Sequence, residues 1–221
     1  GAAFWASDYL LSEGYRQRVL IICPLSIMKS AWQADLFKFA PHRTVGVAHG
    51  AKEKRKEIIA NDYEYIIINY DGVNVVKDAI AKGGFDLVII DEANAYKNCT
   101  TNRWKLINRL VTLNTWMWML TGTPAAQSPL DAHGLAKLCV PNNVTPSKMR
   151  FKDAVMYPVS KFKWIAKPNA QDIVHKTLQP AIRFTKEQCL DLPEVTYVDR
   201  EAPLTLQQKH YYKILREEFI M

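Results

Sequence analysis

Two adjacent carboxylates close the run Phe85-Asp86-Leu87-Val88-Ile89-Ile90-Asp91-Glu92-Ala93-Asn94, a short apolar stretch that ends in acid. A carboxylate pair at the end of a buried strand suits nucleoside triphosphate chemistry, in which one carboxylate holds Mg²⁺, usually through water, and the other polarises the attacking water. Asp91 suits the first role and Glu92 the second. The same residues also read as a solvated acidic turn after a core strand, and the segment alone does not choose. A second stretch, Leu120-Thr121-Gly122-Thr123-Pro124, makes a small hydroxyl-rich turn after another apolar run. Such a turn is an ordinary tight loop in most proteins, but downstream of the acidic pair it can approach a phosphate or sense the acidic motif.

Residues of this kind act only if buried elements hold them. Short runs rich in Ile and Val, at 19–22, 65–68, 87–90 and 116–120, alternate with helical patterns over 4–13, 29–39, 52–60, 73–82 and 102–113. Continuous apolar strands separated by helices indicate an α/β fold, a parallel sheet covered on both faces. Ligands gather at the carboxyl ends of such strands, which is where both motifs fall. Beyond Pro141 the pattern loosens, broken by Pro146, Pro158, Pro168 and Pro180, and reads as an insertion or linker. Thr205 and Gln208 stand in capping-box spacing before a final helix. The expected division is a core at 1–141, an insertion and closing segment at 142–203, and a connecting segment at 204–221.

The 221 residues carry 29 Lys and Arg against 22 Asp and Glu, a formal net charge of +7. That excess favours polyanion partners, although a merely soluble basic domain has the same balance. Cys23, Cys99, Cys139 and Cys189 show no metal-ligand spacing and no disulfide framework, and neither do the five histidines suggest a metal. No apolar run reaches the roughly 18 residues that span a membrane, so a soluble chain in a reducing cytoplasm is the expectation. Tyr157, Lys161, Phe162, Lys163, Trp164 and Lys167 interleave aromatics with positive charge, a pattern that grips a phosphate backbone or a single strand, or else one in which the aromatics pack a core. Lys52, Lys54, Arg55 and Lys56 read better as a solvated helix face.

Taken together the motifs resemble those of the Swi/Snf-type, helicase superfamily two-like DNA-dependent ATPases, along essentially the whole chain. Asp91-Glu92-Ala93-Asn94 with Lys97-Asn98 resembles motif II, and Leu120 to Pro124 is similar to motif III. Cys23-Pro24-Leu25-Ser26 with Trp32 resembles motif Ia, and Ile68-Asn69-Tyr70-Asp71 motif Ib. Arg183-Phe184-Thr185-Lys186-Glu187-Gln188 with Asp191-Leu192-Pro193-Glu194 looks like the segment that closes the first lobe. The resemblance implies a RecA-like first lobe of a double-stranded DNA translocase, of phage or bacterial type. It implies ATP and Mg²⁺ as cofactors, and double-stranded DNA and a second RecA-like lobe as partners. By the same likeness Asn94, Thr121, Gly122 and Thr123 couple nucleotide state to DNA contact. Ser26, Lys29 and Lys97 are the expected DNA contacts, with Lys161 and Lys163 beside them; Ser26 reads equally as a helix N-cap, and Lys97 also reads as a solvated lysine.

Three departures qualify the likeness. Asn94 stands where the family usually has His; both side chains donate hydrogen bonds. Gln127-Ser128 replaces the usual Gln-Asn after motif III. No GxxxxGK[ST] occurs, so the expectation is that this chain alone binds ATP poorly and shows no turnover, the phosphate cradle and the second lobe's arginine finger lying elsewhere. The rival reading is a non-catalytic lobe that docks on DNA or protein, and a motor subunit linked to a nuclease is a third.

Overall fold

A computed structural model of the chain describes residues 1–112, 114–125, 127–160, 163–184, 186–189 and 198–218. They form two compact units, residues 1–181 and 182–221. In chain order the first unit runs through α1 (Ala2–Ser12), β1 (Val19–Cys23), a π-helical turn (Met28–Gln33) leading into α2 (Ala34–Phe39), β2 (Val45–Ala48), α3 (Lys52–Ala60) and β3 (Tyr65–Asn69). It continues with α4 (Tyr70–Val75), α5 (Lys77–Lys82), β4 (Leu87–Ile90), a single 3₁₀ turn (Ala93–Tyr96), α6 (Asn102–Leu110) and β5 (Trp116–Met119). The last part holds α7 (Ala132–Cys139), α8 (Lys148–Val155), β6 (Met156–Pro158), β7 (Trp164–Ala166) and α9 (Ala170–Leu178). The second unit holds α10 (Lys186–Cys189) and α11 (Leu206–Glu218). The Thr205 hydroxyl accepts from the Gln208 amide at 3.2 Å while the Gln208 side chain accepts from the Thr205 amide at 3.0 Å, so the capping box expected from sequence starts α11.

The main sheet is parallel, in the order β2-β3-β1-β4-β5. Its two faces are written in the alternation of the strands. Leu20, Ile22, Ile66, Ile68, Val88 and Ile90 point to one side and meet Ile59 of α3, Val73 of α4, Ile80 of α5 and Trp104 and Ile107 of α6. Val19, Ile21, Cys23, Tyr65, Ile67, Leu87 and Ile89 point to the other and meet Phe4 of α1, Met28, Trp32 and Leu36. Helices therefore cover both faces, and β1, fully buried at the centre, belongs to both cores. A third, smaller core joins Ala132 and Ala136 of α7 to Phe151 and Val155 of α8 and Ala170 of α9. This cluster makes the Pro-rich stretch after Pro141 a packed part of the first unit up to residue 181.

Two details depart from the sequence expectation. The helix read at 73–82 is two helices, because Val76 takes φ −125° and ψ 29° between α4 and α5. The β-branched Val73, Val75 and Val76 disfavour a continuous helix, and the break leaves Val76 only 2% exposed. Strand β2 escapes a reading of the sequence because only four residues carry it and Gly46 lies inside. A Cβ at Gly46 would stand 2.6 Å from the Tyr63 ring and under 3 Å from Ile58 and Ile66, so only glycine lets α3 lie this close.

At the amino ends of the strands, Arg18 donates to the carbonyls of Ile59, Asn61, Tyr63 and Gly83, satisfying backbone from the α3–β3 and α5–β4 connections with one guanidinium. Arg43 fastens α1 to the sheet in the same manner: its guanidinium bonds Asp8 at 2.6 Å and Glu64 at 2.8 Å and donates to the Ser12 hydroxyl. Burial alone would raise the Asp8 and Glu64 carboxyls; bonding and attraction to Arg43, together with His42 at Asp8 and Thr44 at Glu64, outweigh it and hold both below the usual range. Depressed carboxylate values mean stabilisation that is complete above the ordinary range near pH 4 and is lost as pH falls through the folded values. Arg43→Met should cost roughly 2 kcal/mol near neutral pH by taking the guanidinium from the Asp8 and Glu64 carboxylates. A series of melting curves from pH 7 to pH 3 checks it: the wild type should lose stability on acidification more steeply than the variant, and parallel curves would refute the assignment.

Candidate active site

Parallel pairing keeps the carboxyl ends of β3, β1 and β4 level. Cys23 stands opposite Asn69, Ile22 opposite Ile90, and the Asp91 amide still donates to the Ile22 carbonyl at 2.9 Å. Asp91 is therefore the first residue to leave the sheet beside its central strand. Each carboxylate oxygen is already oriented. Oδ1 accepts the Glu92 amide at 2.9 Å, and Oδ2 accepts the Trp32 indole N–H at 2.8 Å. Trp32 is buried with Phe4 edge-on at 4.7 Å, so its single donor must find a partner inside the protein. The π-helical turn that carries Trp32, a form of helix frequent at functional sites, lies on the connection out of β1. From the other side the Tyr70 hydroxyl donates to the Asp91 carbonyl at 2.5 Å. Burial, then the charge of Asp91, pushes the Tyr70 phenol well up, so it stays a donor at any working pH. The same two causes push the Cys23 thiol up to about 12, which makes it an inert core residue.

Glu92 has φ 47° and ψ 53°, and among the described residues it is the one non-glycine with a left-handed backbone. For a glutamate this conformation costs on the order of 1 kcal/mol and persists where its surroundings over-determine it. Here the Asp91 carboxylate holds the Glu92 amide, and the next amide, that of Ala93, donates to the Leu120 carbonyl at 2.9 Å. The side chain is exposed, and no described residue hydrogen-bonds its carboxylate.

The Ala93–Leu120 bond, with the Leu120 amide on Ile90 at 2.8 Å, also ties the acidic loop to the strand that leads into Thr121, Gly122 and Thr123. Their turn is local, the Thr121 hydroxyl accepting from the Thr123 amide at 3.3 Å. Asn94 leaves its side-chain oxygen buried without a hydrogen-bond partner, an arrangement that costs about 1–3 kcal/mol unless something donates to it. Lys97 joins the two motifs a second time: its ammonium bonds the Gln127 side chain and pairs with Asp131 at 3.4 Å. The charge expected to face DNA is thus engaged within the lobe. Ser26 and Lys29 stand exposed on the connection after β1, the one whose Trp32 reaches Asp91. Lys163 sits on the hairpin of β6 and β7, whose Met156 sulfur accepts from the Ser128 hydroxyl at 3.6 Å, and Lys161 lies outside the described residues.

Sequence reasoning misses several residues that hold this arrangement. Arg55, read as part of a solvated basic face, is half-buried and donates to the Ala48 and Gly50 carbonyls and to the Asn69 side chain, fixing the end of β3. Gly134 brings α7 against the acidic loop: a Cβ there would overlap the Lys97 carbonyl, and the Gly134 carbonyl accepts the Trp104 indole at 2.8 Å. A lone glycine in a helix carries no signal that could have revealed this.

The donor set of the site is oxygen, from the Asp91 carboxylate with Glu92 beside it, and no group of three or more acidic, His or Cys side chains that could hold a metal occurs among the described residues. A hard cation that keeps its waters and binds through one or two carboxylates and a phosphate fits this set. The orphaned Asn94 oxygen adds a buried acceptor at the same loop.

The parallel order β2-β3-β1-β4-β5 with helices on both faces defines the fold class, a RecA-like lobe. A model of the SNF2-related domain matches residues 8–221, and the chain belongs to that family. The chromodomain-helicase-DNA-binding protein 1-like of Danio rerio is 26% identical over 206 residues, 89% of this chain and 19% of that protein. The Drosophila melanogaster homologue of SWI/SNF-related matrix-associated actin-dependent regulator of chromatin subfamily A containing DEAD/H box 1 is 27% identical over 229 residues, 92% of this chain and 26% of that protein. The chain thus spans about a quarter or less of the length of these curated relatives. Among solved structures, the Sulfolobus solfataricus SWI2/SNF2 ATPase core in complex with dsDNA superposes with a TM-score of 0.65 at 28% identity, over 96% of this chain and 43% of that one. The Sulfolobus solfataricus SWI2/SNF2 ATPase core domain superposes with a TM-score of 0.59 at 26% identity, over 96% of this chain and 42% of that one.

Two substitutions check the local architecture. Gly134→Ala must displace backbone, either α7 or the turn at Lys97, and should lower stability by about 1–3 kcal/mol in urea unfolding. Trp32→Phe keeps the packing against Phe4 and removes the donor from Asp91, for a loss of about 1.5–3 kcal/mol, typical of a hydrogen bond to a charged group. An unfolding midpoint equal to the wild type in either variant contradicts the corresponding contact.

Proposed function

We propose that this chain is the first lobe of an ATP-driven translocase on double-stranded DNA, and that the site at the ends of β1, β4 and β5 serves ATP hydrolysis in the complete protein. The observation that carries the reading is the contrast between adjacent carboxylates. Asp91 is gripped from three sides, by Trp32, the Glu92 amide and Tyr70, whereas Glu92 projects free from a left-handed backbone. An immobilised carboxylate suits a Mg²⁺–nucleotide, and a free one beside it suits orientation and deprotonation of water. Bound Mg²⁺ would neutralise charge developing on the transferred phosphoryl group. Asp91 is the residue that would hold it, and Asn94, Thr121, Gly122 and Thr123 would sense nucleotide across the Ala93–Leu120 bond.

On the DNA side, Ser26 and Lys29 offer an exposed hydroxyl and cation at the strand-end level, chemistry suited to phosphates rather than base edges. Lys97, engaged with Gln127 and Asp131, contributes by fastening the two loops whose spacing the reaction depends on. The relative solved with dsDNA supports this choice of partner. A second RecA-like lobe completes the cleft in this reading. Because these 221 residues contain no GxxxxGK[ST] phosphate loop, we expect them to show no turnover by themselves.

Glu92→Gln in the complete protein is the test. The amide keeps the shape and the backbone strain but cannot take a proton, so DNA-stimulated ATP turnover should fall by at least about 100-fold, the usual contribution of a general base. DNA affinity should stay within about twofold. Turnover at the wild-type level would falsify the assignment of Glu92.

A further inference from the structure

The hairpin of β6 and β7 lies outside the strand-end site and is not absorbed by it. Residues 148–167 hold six Lys and Arg, at 148, 150, 152, 161, 163 and 167, against one acid, Asp153, so most of the chain's net charge of +7 is concentrated there. Among the described residues none of Lys148, Arg150, Lys152, Lys163 and Lys167 takes part in an ion pair. The basic run on α3 differs in kind: Lys56 pairs with Glu53, and Arg55 is consumed by carbonyls.

The geometry presents this charge together with apolar surface. Tyr157 pairs with Ile165 across the hairpin, and both are exposed, at 41% and 36%. Val159, two residues along the same face, is 54% exposed beside Lys163. Trp164 is half-buried under Lys152, whose ammonium lies 3.6 Å from the ring centre. A two-stranded hairpin is marginal by itself. This one is anchored where it leaves α8, by Val155 and Phe151 in the third core and by the Lys167 amide on the Val155 carbonyl at 2.9 Å. The base is packed, while Tyr157, Val159 and Ile165 stand exposed on the hairpin.

We infer that this hairpin and α8 form a second nucleic-acid contact, separate from the strand-end site, that grips a phosphate backbone through Arg150, Lys163 and neighbouring lysines with Tyr157 available to stack on a base. The choice of nucleic acid rests on the DNA reading above and on charge complementarity: several cations without an ion pair, concentrated in one segment, suit a row of phosphates, and an exposed tyrosine beside them offers a ring on which a nucleobase stacks. Duplex and single strand share the backbone chemistry.

The test uses the whole chain and fluorescence anisotropy with a labelled duplex and a labelled single strand, each across a salt series. Arg150 and Lys163 are exposed and bear no described side-chain partner, so Arg150→Gln with Lys163→Gln leaves the fold intact; an unchanged melting curve verifies that. The double variant should weaken binding by about 5- to 20-fold and reduce the slope of log affinity against log salt by about 1–2, since each phosphate contact contributes about 0.9. Lys52→Gln with Lys54→Gln removes equal charge from α3 and should leave the slope unchanged. If Tyr157→Ala weakens single-strand binding alone, the occupant is a single strand; if it affects neither form, the occupant is the duplex. Equal behaviour of the hairpin and α3 variants overturns the inference, as does polyglutamate binding that the hairpin variant weakens as much as it weakens DNA. Ser26→Ala with Lys29→Gln separates the two proposals: loss of DNA binding there, with none in the hairpin variant, overturns the hairpin alone. The reverse pattern upholds the hairpin and overturns the strand-end contact, and no binding by the wild type even at low salt overturns both.

Discussion

Parallel pairing of β1 with β3 and β4 is the constraint on which the rest of this lobe depends. Its register makes the strand ends level, and levelness brings Cys23, Asn69 and Asp91 out of the sheet at one height. Because β1 contributes alternate side chains to both cores, slipping it by one residue would exchange Ile21 and Ile22 between the two faces and ruin both cores at once. The chemistry at the carboxyl ends is therefore positioned by apolar packing deeper in the sheet, through interactions that involve no functional atom.

Above that platform the site is assembled by backbone hydrogen bonds with side chains as clamps. The amides of Asp91, Ala93 and Leu120 stitch the three strand-end loops together, and Trp32 and Tyr70 reach in from helices on opposite sides of the acidic loop. Such an arrangement separates holding from reacting. Groups that are gripped become reference points, and those left free, the Glu92 carboxylate and the Asn94 oxygen, are the ones that respond to whatever arrives.

Much of this is legible in the sequence, for physical reasons that particular residues make plain. Runs such as Val19 to Ile22 and Leu87 to Ile90 are apolar at consecutive positions because both faces are covered, and that pattern survives without any neighbour. The acidic pair and the Thr-Gly-Thr-Pro turn are contiguous, so their spacing is visible. What escapes depends on contacts between distant residues. Arg55 looks solvated in sequence because its carbonyl partners lie at the end of β2, a strand that Gly46 conceals. Trp32 falls within a motif, but its bond to Asp91 crosses from one strand connection to another. The segment after Pro141 looks like linker because its core residues, Val144, Phe151, Val155 and Ala170, are few and widely spaced and give a weak periodic signal, while its prolines give a strong breaking one.

The left-handed backbone at Glu92 has an evolutionary implication. Glycine or asparagine would occupy that φ and ψ at lower cost, so selection for a stable lobe alone would drift away from glutamate at this position. Glutamate here takes a conformation that disfavours it, a local cost that the bonds of the Glu92 amide to Asp91 and of the Ala93 amide to Leu120 sustain, and one that fits the water-activating role proposed for its carboxylate.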